Sequence, residues 1–121
     1  MGGGLARRQI GTTGLEVSTL GFGGAAIGNL YRVLGDEDAD AAVRESFTAG
    51  VRYFDTAPFY GFGLSEIRLG QALSGASELP VISSKVGRRL VPTGPQDASV
   101  GARATSRPGR SRQYSTTVMN P

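Results

Sequence analysis

The stretches YFDTAPFYG (residues 53–61) and VISSKVG (residues 81–87) decide which fold and which chemistry this sequence predicts. Each begins with β-branched, aromatic or aliphatic residues that are typical of a buried strand, and each continues into turn residues. Asp55, Tyr60 and Lys85 lie at the ends of these runs or in the loop that follows, and Lys85 is the only lysine in the chain. The sequence therefore places a carboxylate, a phenol and an ammonium at comparable positions along two strands.

Helical patterns lie before and between these two strands. Small and apolar residues recur from 39 to 47 at the spacing of one helix face, after acidic residues 36–38 that suit the positive end of a helix dipole. Gly50 is expected to close this helix. A second helix is predicted to begin with Ser65 as its N-cap and to end near Gly75. Alternating strands and helices favour parallel pairing with right-handed crossovers.

The residues before the first helix predict a β-hairpin and a further strand. Residues 9–17 place two β-prone runs around a Gly/Thr turn, and residues 18–22 predict a strand that leads into the glycines of residues 21–24. In parallel α/β sheets, ligands and catalytic groups collect at the carboxyl ends of the strands. We therefore expect these glycines and the three polar residues named above to face the same side of the molecule.

The composition argues against several kinds of site. The chain has 121 residues with no cysteine and no histidine, so a disulfide framework is excluded, the commonest zinc ligands are missing, and we predict no metal site. No stretch reaches the roughly 18 apolar residues of a membrane span, and the N-terminus lacks the apolar run of a signal peptide. We therefore expect a cytoplasmic protein without a membrane partner.

The net charge of +3 belongs to the last part of the chain. Residues 1–92 hold nine basic and nine acidic residues, whereas residues 93–121 hold four arginines and one aspartate, a difference of three. The last segment also contains no Leu, Ile, Phe or Lys, and such a composition predicts a disordered tail. A contact stripe for nucleic acid is the alternative for the four arginines, but with a single tyrosine nearby we expect no nucleic acid partner.

The three polar residues suit proton transfer. A free phenol has a pKa of about 10 and is a poor acid or base at neutral pH. If the Asp55 carboxylate holds the Lys85 ammonium in place, the ammonium stabilises the Tyr60 phenolate and lowers the pKa of this phenol. Such a tyrosine is useful where a nicotinamide cofactor moves a hydride and a proton must move the other way, as when alcohols and carbonyl compounds are interconverted.

The ordered motifs resemble those of the aldo-keto reductase family. They are LGFGG at residues 20–24, DTAPFYG at residues 55–61, LSE at residues 64–66 with LG at residues 69–70, and SKVG at residues 84–87. The resemblance covers about residues 7–92. The GLSE stretch and the Asn29-Leu30-Tyr31 loop look closest to the aldose or L-fucose dehydrogenases of this family.

The resemblance implies a fold and a division of the chain. The fold would be α/β: the N-terminal portion of a (β/α)8 TIM barrel with an N-terminal β-hairpin, followed by a disordered tail. Residues 1–6 would form a flexible N-terminus, residues 7–92 the partial barrel and residues 93–121 the tail.

The resemblance also implies a cofactor and roles for named residues. Tyr60 would be the general acid/base, Lys85 the partner that lowers its pKa, and Asp55 the group that orients Lys85. Gly23 and Gly24 would approach the nicotinamide side of NAD or NADP, and Asp55 would lie near its ribose. The partner would be a small-molecule carbonyl compound or a sugar.

The chain departs from the family at one catalytic position. The fourth catalytic residue of the family is a histidine on the next strand, and this chain has no histidine. A closed barrel also needs about 250 residues. The resemblance therefore implies a chain truncated or frameshifted after about Pro92, and inactive or nearly so by itself.

Two alternatives remain. Residues 21–26 read GFGGAA and satisfy the Rossmann form GxGxxA, but that loop must open directly into a helix, whereas the helical period begins only after Asp36. The alternative function is a non-catalytic barrel fragment that binds protein partners through an exposed sheet face.

Overall fold

The computed structural model describes residues 4–93 and 113–118. The strands are β1 (Arg7–Gln9), β2 (Glu16–Ser18), β3 (Phe22–Gly23), β4 (Tyr53–Asp55), β5 (Val81–Ser83), β6 (Arg88–Thr93) and β7 (Gln113–Val118). The helices are α1 (Asp36–Thr48), α2 (Leu64–Leu73) and a short 3-10 helix, Ala26–Gly28. Within these ranges, neither α-helix is long and apolar enough to cross a membrane.

A parallel three-stranded sheet in the order β3-β4-β5 forms the centre of the fold, as predicted. Helix α1 follows β3 and helix α2 follows β4, so each parallel pair is joined by a helical crossover. The register aligns Gly23 with Asp55 and Asp55 with Ser83. These three residues therefore lie at one level at the carboxyl end of the sheet.

The two helices cover one face of this sheet and form the hydrophobic core there. Phe54 is fully buried on this face and packs against Phe22, with 5.5 Å between the ring centroids. Small and aliphatic side chains of the helices complete the core: Ile27, Ala39, Val43, Leu69 and Ala72. Because side chains alternate along a strand, Tyr53 and Asp55 point to the opposite face.

The predicted helices are present, but the start of the second differs. Helix α1 has the acidic residues in its first turn, and Gly50 just beyond it has a φ of 105°, a left-handed conformation that glycine adopts at little cost. Helix α2 begins at Leu64 with Gly63 as its N-cap. The predicted capping role of Ser65 is wrong, because its hydroxyl is buried and donates to the Gly24 carbonyl oxygen at 2.7 Å.

The predicted strand at residues 18–22 is shorter than expected. Ser18 belongs to β2, whose antiparallel pairing with β1 confirms the hairpin, and only the end of the predicted strand pairs with β4. The Ser18 hydroxyl donates to the Leu20 carbonyl oxygen at 2.6 Å and accepts from the Arg52 backbone N–H at 2.8 Å. This side-chain turn separates the hairpin from the sheet.

Strands β6 and β7 form an antiparallel pair that was not predicted. Residues 113–118 read QYSTTV, and aromatic and β-branched residues favour a strand even where few large apolar residues are present. At these residues the structure differs from the predicted disordered tail. The rest of that prediction, residues 94–112 and 119–121, lies outside the described residues, as do residues 1–3 of the predicted flexible N-terminus.

Arg68 is a buried cation that ties α2 to the segment before α1, and it is only 4% exposed. Its guanidinium donates to the carbonyl oxygens of Ile27 and Leu34 at 2.9 Å each, to Asn29 Oδ1 at 3.0 Å and to Asp36 Oδ1 at 2.7 Å. A planar fork of five N–H donors suits such a set of acceptors. One side chain on α2 therefore fixes the path of residues 27–36.

Replacing Arg68 by alanine is expected to lower the free energy of unfolding by about 2–4 kcal/mol, because buried carbonyl oxygens lose their charged donor. Arg44→Ala is the matched control, since Arg44 makes one exposed contact of 2.7 Å with Asp40 on the same helix. That change should cost at most about 0.5 kcal/mol. Urea unfolding of the three proteins measures both values, and equal losses for the two variants would contradict the role given to Arg68.

Candidate active site

An ion pair joins the carboxyl ends of β4 and β5. Lys85 Nζ lies 2.7 Å from Asp55 Oδ2 and donates to it, and it also donates to the Thr56 carbonyl oxygen at 3.0 Å. Asp55 is the last residue of β4, and Lys85 follows β5 by two residues. The parallel register brings the two strand ends together, so the predicted contact of carboxylate and ammonium is present.

Tyr60 lies beside this ion pair. It belongs to the loop between β4 and α2, and Lys85 Nζ is 5.0 Å from the centroid of its ring. Tyr60 and Lys85 both line a cavity of about 360 Å³, together with Ala57, Pro58, Phe59, Val86 and Leu90. The three residues predicted from the sequence therefore form one cluster, with Lys85 in the middle.

The two charges stabilise each other. The hydrogen bond from Lys85, and then the one from Ser83, hold the pKa of the Asp55 carboxyl below its ordinary value. The hydrogen bond to Asp55 raises the pKa of Lys85, with a smaller contribution from the nearby Tyr60 hydroxyl. Ionised Asp55 thus stabilises the fold at pH values above the ordinary pKa of a carboxyl group. This stabilisation is lost as the pH falls through the lowered pKa of Asp55. Protonated Lys85 stabilises the fold at pH values below the ordinary pKa of a lysine, and this stabilisation is lost as the pH rises through the raised pKa of Lys85.

Gly23 and Gly24, the predicted cofactor contacts, differ in their surroundings. A Cβ on Gly24 would lie 2.6 Å from the Asp55 carbonyl oxygen and 2.8 Å from Ser65 Oγ, so this glycine permits close packing inside the protein. A Cβ on Gly23 would meet nothing within 4 Å. Gly23 and Asp55 instead line an open cavity of about 610 Å³. Of the two glycines, Gly23 is the one that a ligand can approach.

The model of the Aldo/keto reductase family matches residues 19–114. The chain belongs to this family. Among curated relatives it is 48% identical to the pyridoxal 4-dehydrogenase of Microbacterium luteolum over 84 residues, which are 69% of this chain and 25% of that protein. It is 49% identical to the D-threo-aldose 1-dehydrogenase of Pseudomonas sp over 80 residues, 65% of this chain and 24% of that one. The chain thus spans about a quarter of the length of these curated relatives.

Solved structures give the same assignment. The aldo-keto reductase AKR11C1 from Bacillus halodurans, in its holo form, superposes with a TM-score of 0.62 at 35% identity over 70% of this chain and 27% of that one. The glycerol dehydrogenase AKR11B4 from Gluconobacter oxydans superposes with a TM-score of 0.60 at 27% identity, over 75% of this chain and 28% of that one. These proteins are TIM barrels, so the predicted fold, the N-terminal part of such a barrel, is confirmed.

Two residues of this candidate site were not predicted. Ser83 Oγ donates to Asp55 Oδ1 at 2.6 Å and lies 3.0 Å from the Tyr53 hydroxyl. The signal that could have found them is the parallel register: an aspartate that ends one strand faces the residue two positions before the lysine on the next strand. Among the described residues, no cluster of three or more His, Cys, Asp or Glu side chains could hold a metal ion.

The backbone of Tyr60 is packed against a glycine of the preceding loop. A Cβ on Gly28 would lie 2.6 Å from the Tyr60 carbonyl carbon and oxygen, and a Cβ on Gly61 would clash with the Gly28 carbonyl oxygen. Gly28 belongs to the segment that Arg68 holds, through the neighbouring Ile27 carbonyl and Asn29 amide. The position of Tyr60 therefore depends on a direct contact between two backbones.

Gly28→Ala is expected to lower the free energy of unfolding by about 1–3 kcal/mol, because the added methyl group pushes the Tyr60 backbone aside. Gly70→Ala is the matched control: Gly70 is an exposed residue of α2, and a Cβ there would meet nothing within 4 Å. An alanine in a helix should stabilise the protein by up to about 1 kcal/mol. Thermal or urea unfolding separates the two, and a neutral Gly28→Ala would show that this contact is unimportant.

Proposed function

We propose that this chain carries the proton-transfer half of an NAD(P)-dependent oxidoreductase site that interconverts an alcohol or lactol with a carbonyl compound or lactone. The observation that carries the proposal is the cluster in which Asp55 holds Lys85 at 2.7 Å and Lys85 lies 5.0 Å from the centre of the Tyr60 ring. Membership of the aldo/keto reductase family supports the same reaction class. We propose a cytoplasmic location for it.

Tyr60 acts as the general acid/base. In the oxidative direction its phenolate accepts the proton of the substrate hydroxyl as the hydride leaves the carbon that bears this hydroxyl. In the reductive direction the Tyr60 hydroxyl returns that proton to the oxygen. The Lys85 ammonium stabilises the phenolate by its charge, and Asp55 keeps the ammonium in place. A bound nicotinamide supplies the acceptor or donor of the hydride.

The open cavity next to Gly23 fits such a cofactor. It has a volume of about 610 Å³ and is lined in part by Gly21, Gly23, Tyr53 and Asp55. Because a side chain is missing at Gly23 and the space above it is free, a flat ring can approach the backbone there. Gly23 would contact the nicotinamide side and Asp55 would lie near the ribose. The residues described support NAD or NADP equally.

The cavity beside Tyr60 fits a small substrate. Its volume is about 360 Å³, and its lining is largely apolar, with Phe59, Val86 and Leu90 around the polar ends of Tyr60 and Lys85. Binding sites of this kind combine apolar walls with a few polar groups that fix orientation. The curated relatives are named for pyridoxal, D-threo-aldose and L-galactose, which supports a small carbonyl compound or sugar as substrate.

The activity of this chain alone is expected to be low. The chain has no histidine, so it offers no imidazole that could hydrogen bond to the substrate carbonyl oxygen. Neutral donors aimed at such an oxygen are worth about 10²–10³ in kcat. The acid/base function of Tyr60 is therefore best measured within a complete barrel.

A chimera tests the proposal. Residues 7–92 replace the matching segment of the D-threo-aldose 1-dehydrogenase of Pseudomonas sp, to which this chain is 49% identical. The chimera should form NAD(P)H in the presence of aldose, followed at 340 nm, and Tyr60→Phe should lower kcat by about 10²–10⁴ because the proton acceptor is lost. Tyr31→Phe is the matched control, since Tyr31 is 78% exposed and outside the cluster. A folded Tyr60→Phe chimera with full activity would refute the proposed role.

Exposed apolar residues favour a second candidate function, a non-catalytic fragment that binds a protein partner. Ile82 is aligned with Phe54 on the helix-covered face of the sheet, yet it is 49% exposed, whereas Phe54 is fully buried. A contiguous apolar patch on a surface marks a site of association, and Ile82 would be one residue of such a patch. Size-exclusion chromatography of the wild type and Ile82→Glu distinguishes the candidates: a complex that the glutamate dissolves supports the scaffold.

A further inference from the structure

We propose that Ser83 and Tyr53 are positioning residues of this site: a directed chain of hydrogen bonds, from Tyr53 through Ser83 to Asp55, fixes the carboxylate that holds Lys85. The inference rests on the proposed function and extends it to two residues outside the three that carry proton transfer. It follows from the register of β4 and β5 and from the number of protons that each group can donate.

The register places the three groups on one face of the sheet. Tyr53 and Asp55 are two residues apart on β4, so their side chains point to the same side, and Ser83 is aligned with Asp55 on the neighbouring strand. Ser83 Oγ is 2.6 Å from Asp55 Oδ1 and 3.0 Å from the Tyr53 hydroxyl oxygen. All three side chains are partly buried, which limits competition from water.

The direction of these hydrogen bonds follows from the acceptor at their end, the Asp55 carboxylate. An ionised carboxylate only accepts hydrogen bonds, so the single Ser83 hydroxyl proton goes to Asp55 Oδ1. Ser83 Oγ then has lone pairs but no proton left for its second partner. The Tyr53 hydroxyl must therefore donate to Ser83 Oγ, and this donation strengthens the bond from Ser83 to Asp55.

In this arrangement each carboxylate oxygen of Asp55 has its own hydrogen-bond donor. Ser83 occupies Oδ1 and Lys85 Nζ occupies Oδ2 at 2.7 Å, so turning the carboxylate would break both bonds. Lys85 has three N–H donors; one goes to Asp55 and a second to the Thr56 carbonyl oxygen at 3.0 Å. The third is left for the Tyr60 side, where the ring centroid is 5.0 Å from Nζ. A fixed carboxylate therefore fixes the direction in which the ammonium can serve Tyr60.

The titration of Asp55 reports on this chain without any need for catalysis. Since the Ser83 hydrogen bond helps to lower the pKa of Asp55, Ser83→Ala should raise that pKa toward its ordinary value. Tyr53→Phe should raise it in the same direction by less, because Ser83 keeps its bond but loses the polarising donor. Lys85→Met, which removes the larger contribution, should raise it more than Ser83→Ala does.

Carbon-detected NMR of the Asp55 carboxyl, measured against pH on the full chain, gives these values. Ser84→Ala is the matched control, because Ser84 is the next residue along and its exposed hydroxyl donates to Glu66 at 2.7 Å. The control should leave the pKa of Asp55 unchanged. Ser83→Thr keeps the donor and should restore the wild-type titration. If Ser83→Ala does not fold, Ser83→Cys replaces it, since a thiol is a weak donor of similar shape.

The outcomes distinguish this inference from the proposed function. An unchanged Asp55 titration in Ser83→Ala, alongside a raised one in Lys85→Met, overturns the role of Ser83 and leaves the function of Tyr60 intact. An unchanged titration in Tyr53→Phe overturns the role of Tyr53. In the active chimera, Ser83→Ala should lower kcat with little change in KM, as expected for a residue that acts through Asp55. An inactive chimera together with the expected titrations refutes the function but keeps the hydrogen-bond chain.

Discussion

The parallel alignment of β4 with both of its neighbours is the constraint on which the fold and the site depend. It puts Gly23, Asp55 and Ser83 at one level, and it sends Phe54 to the opposite face, where the helices bury it. A shift of β4 by one residue in this register would move each of its side chains to the other face of the sheet. The carboxylate would then lie under the helices and the phenylalanine in the open cavity, so the same register that buries the core also assembles the polar cluster.

Two cations with carboxylate partners have different roles in this molecule. The Lys85 and Asp55 side chains are 50% and 36% exposed, and pairs of this kind contribute little to stability. The effect of this pair is to hold the Lys85 ammonium beside Tyr60. Arg68 is almost completely buried and donates mainly to acceptors in the segment before α1, so its loss leaves polar atoms without partners. Arg68 therefore contributes mainly to stability, whereas the pair of Lys85 and Asp55 mainly orders the polar cluster.

The sequence allowed the parallel sheet, both helices and the cluster of Asp55 and Lys85 to be predicted, because these follow from periodicity and from positions at strand ends. The cap of α2 was wrong because the hydroxyl of Ser65 contacts Gly24, a residue distant in the chain. Ser83 was missed for a related reason: the role of a serine that ends a strand becomes visible only when the register aligns it with a carboxylate on the next strand. Local patterns carry no information about such contacts between strands.

The position of Tyr60 follows from the loop rather than from the register. In this loop Gly61 and Gly63 have positive φ angles, and so does Phe62 at 53°, a conformation that costs a residue with a side chain about 1 kcal/mol or more. The loop keeps this shape because the Tyr60 carbonyl accepts from the Ser65 N–H at 3.1 Å and because Gly28 packs on its backbone. Arg68 in turn holds the segment that contains Gly28, so a buried arginine outside the polar cluster supports the loop that places Tyr60 near Lys85. A sequence motif can indicate which tyrosine belongs to the cluster, but its position is determined by these contacts between distant residues.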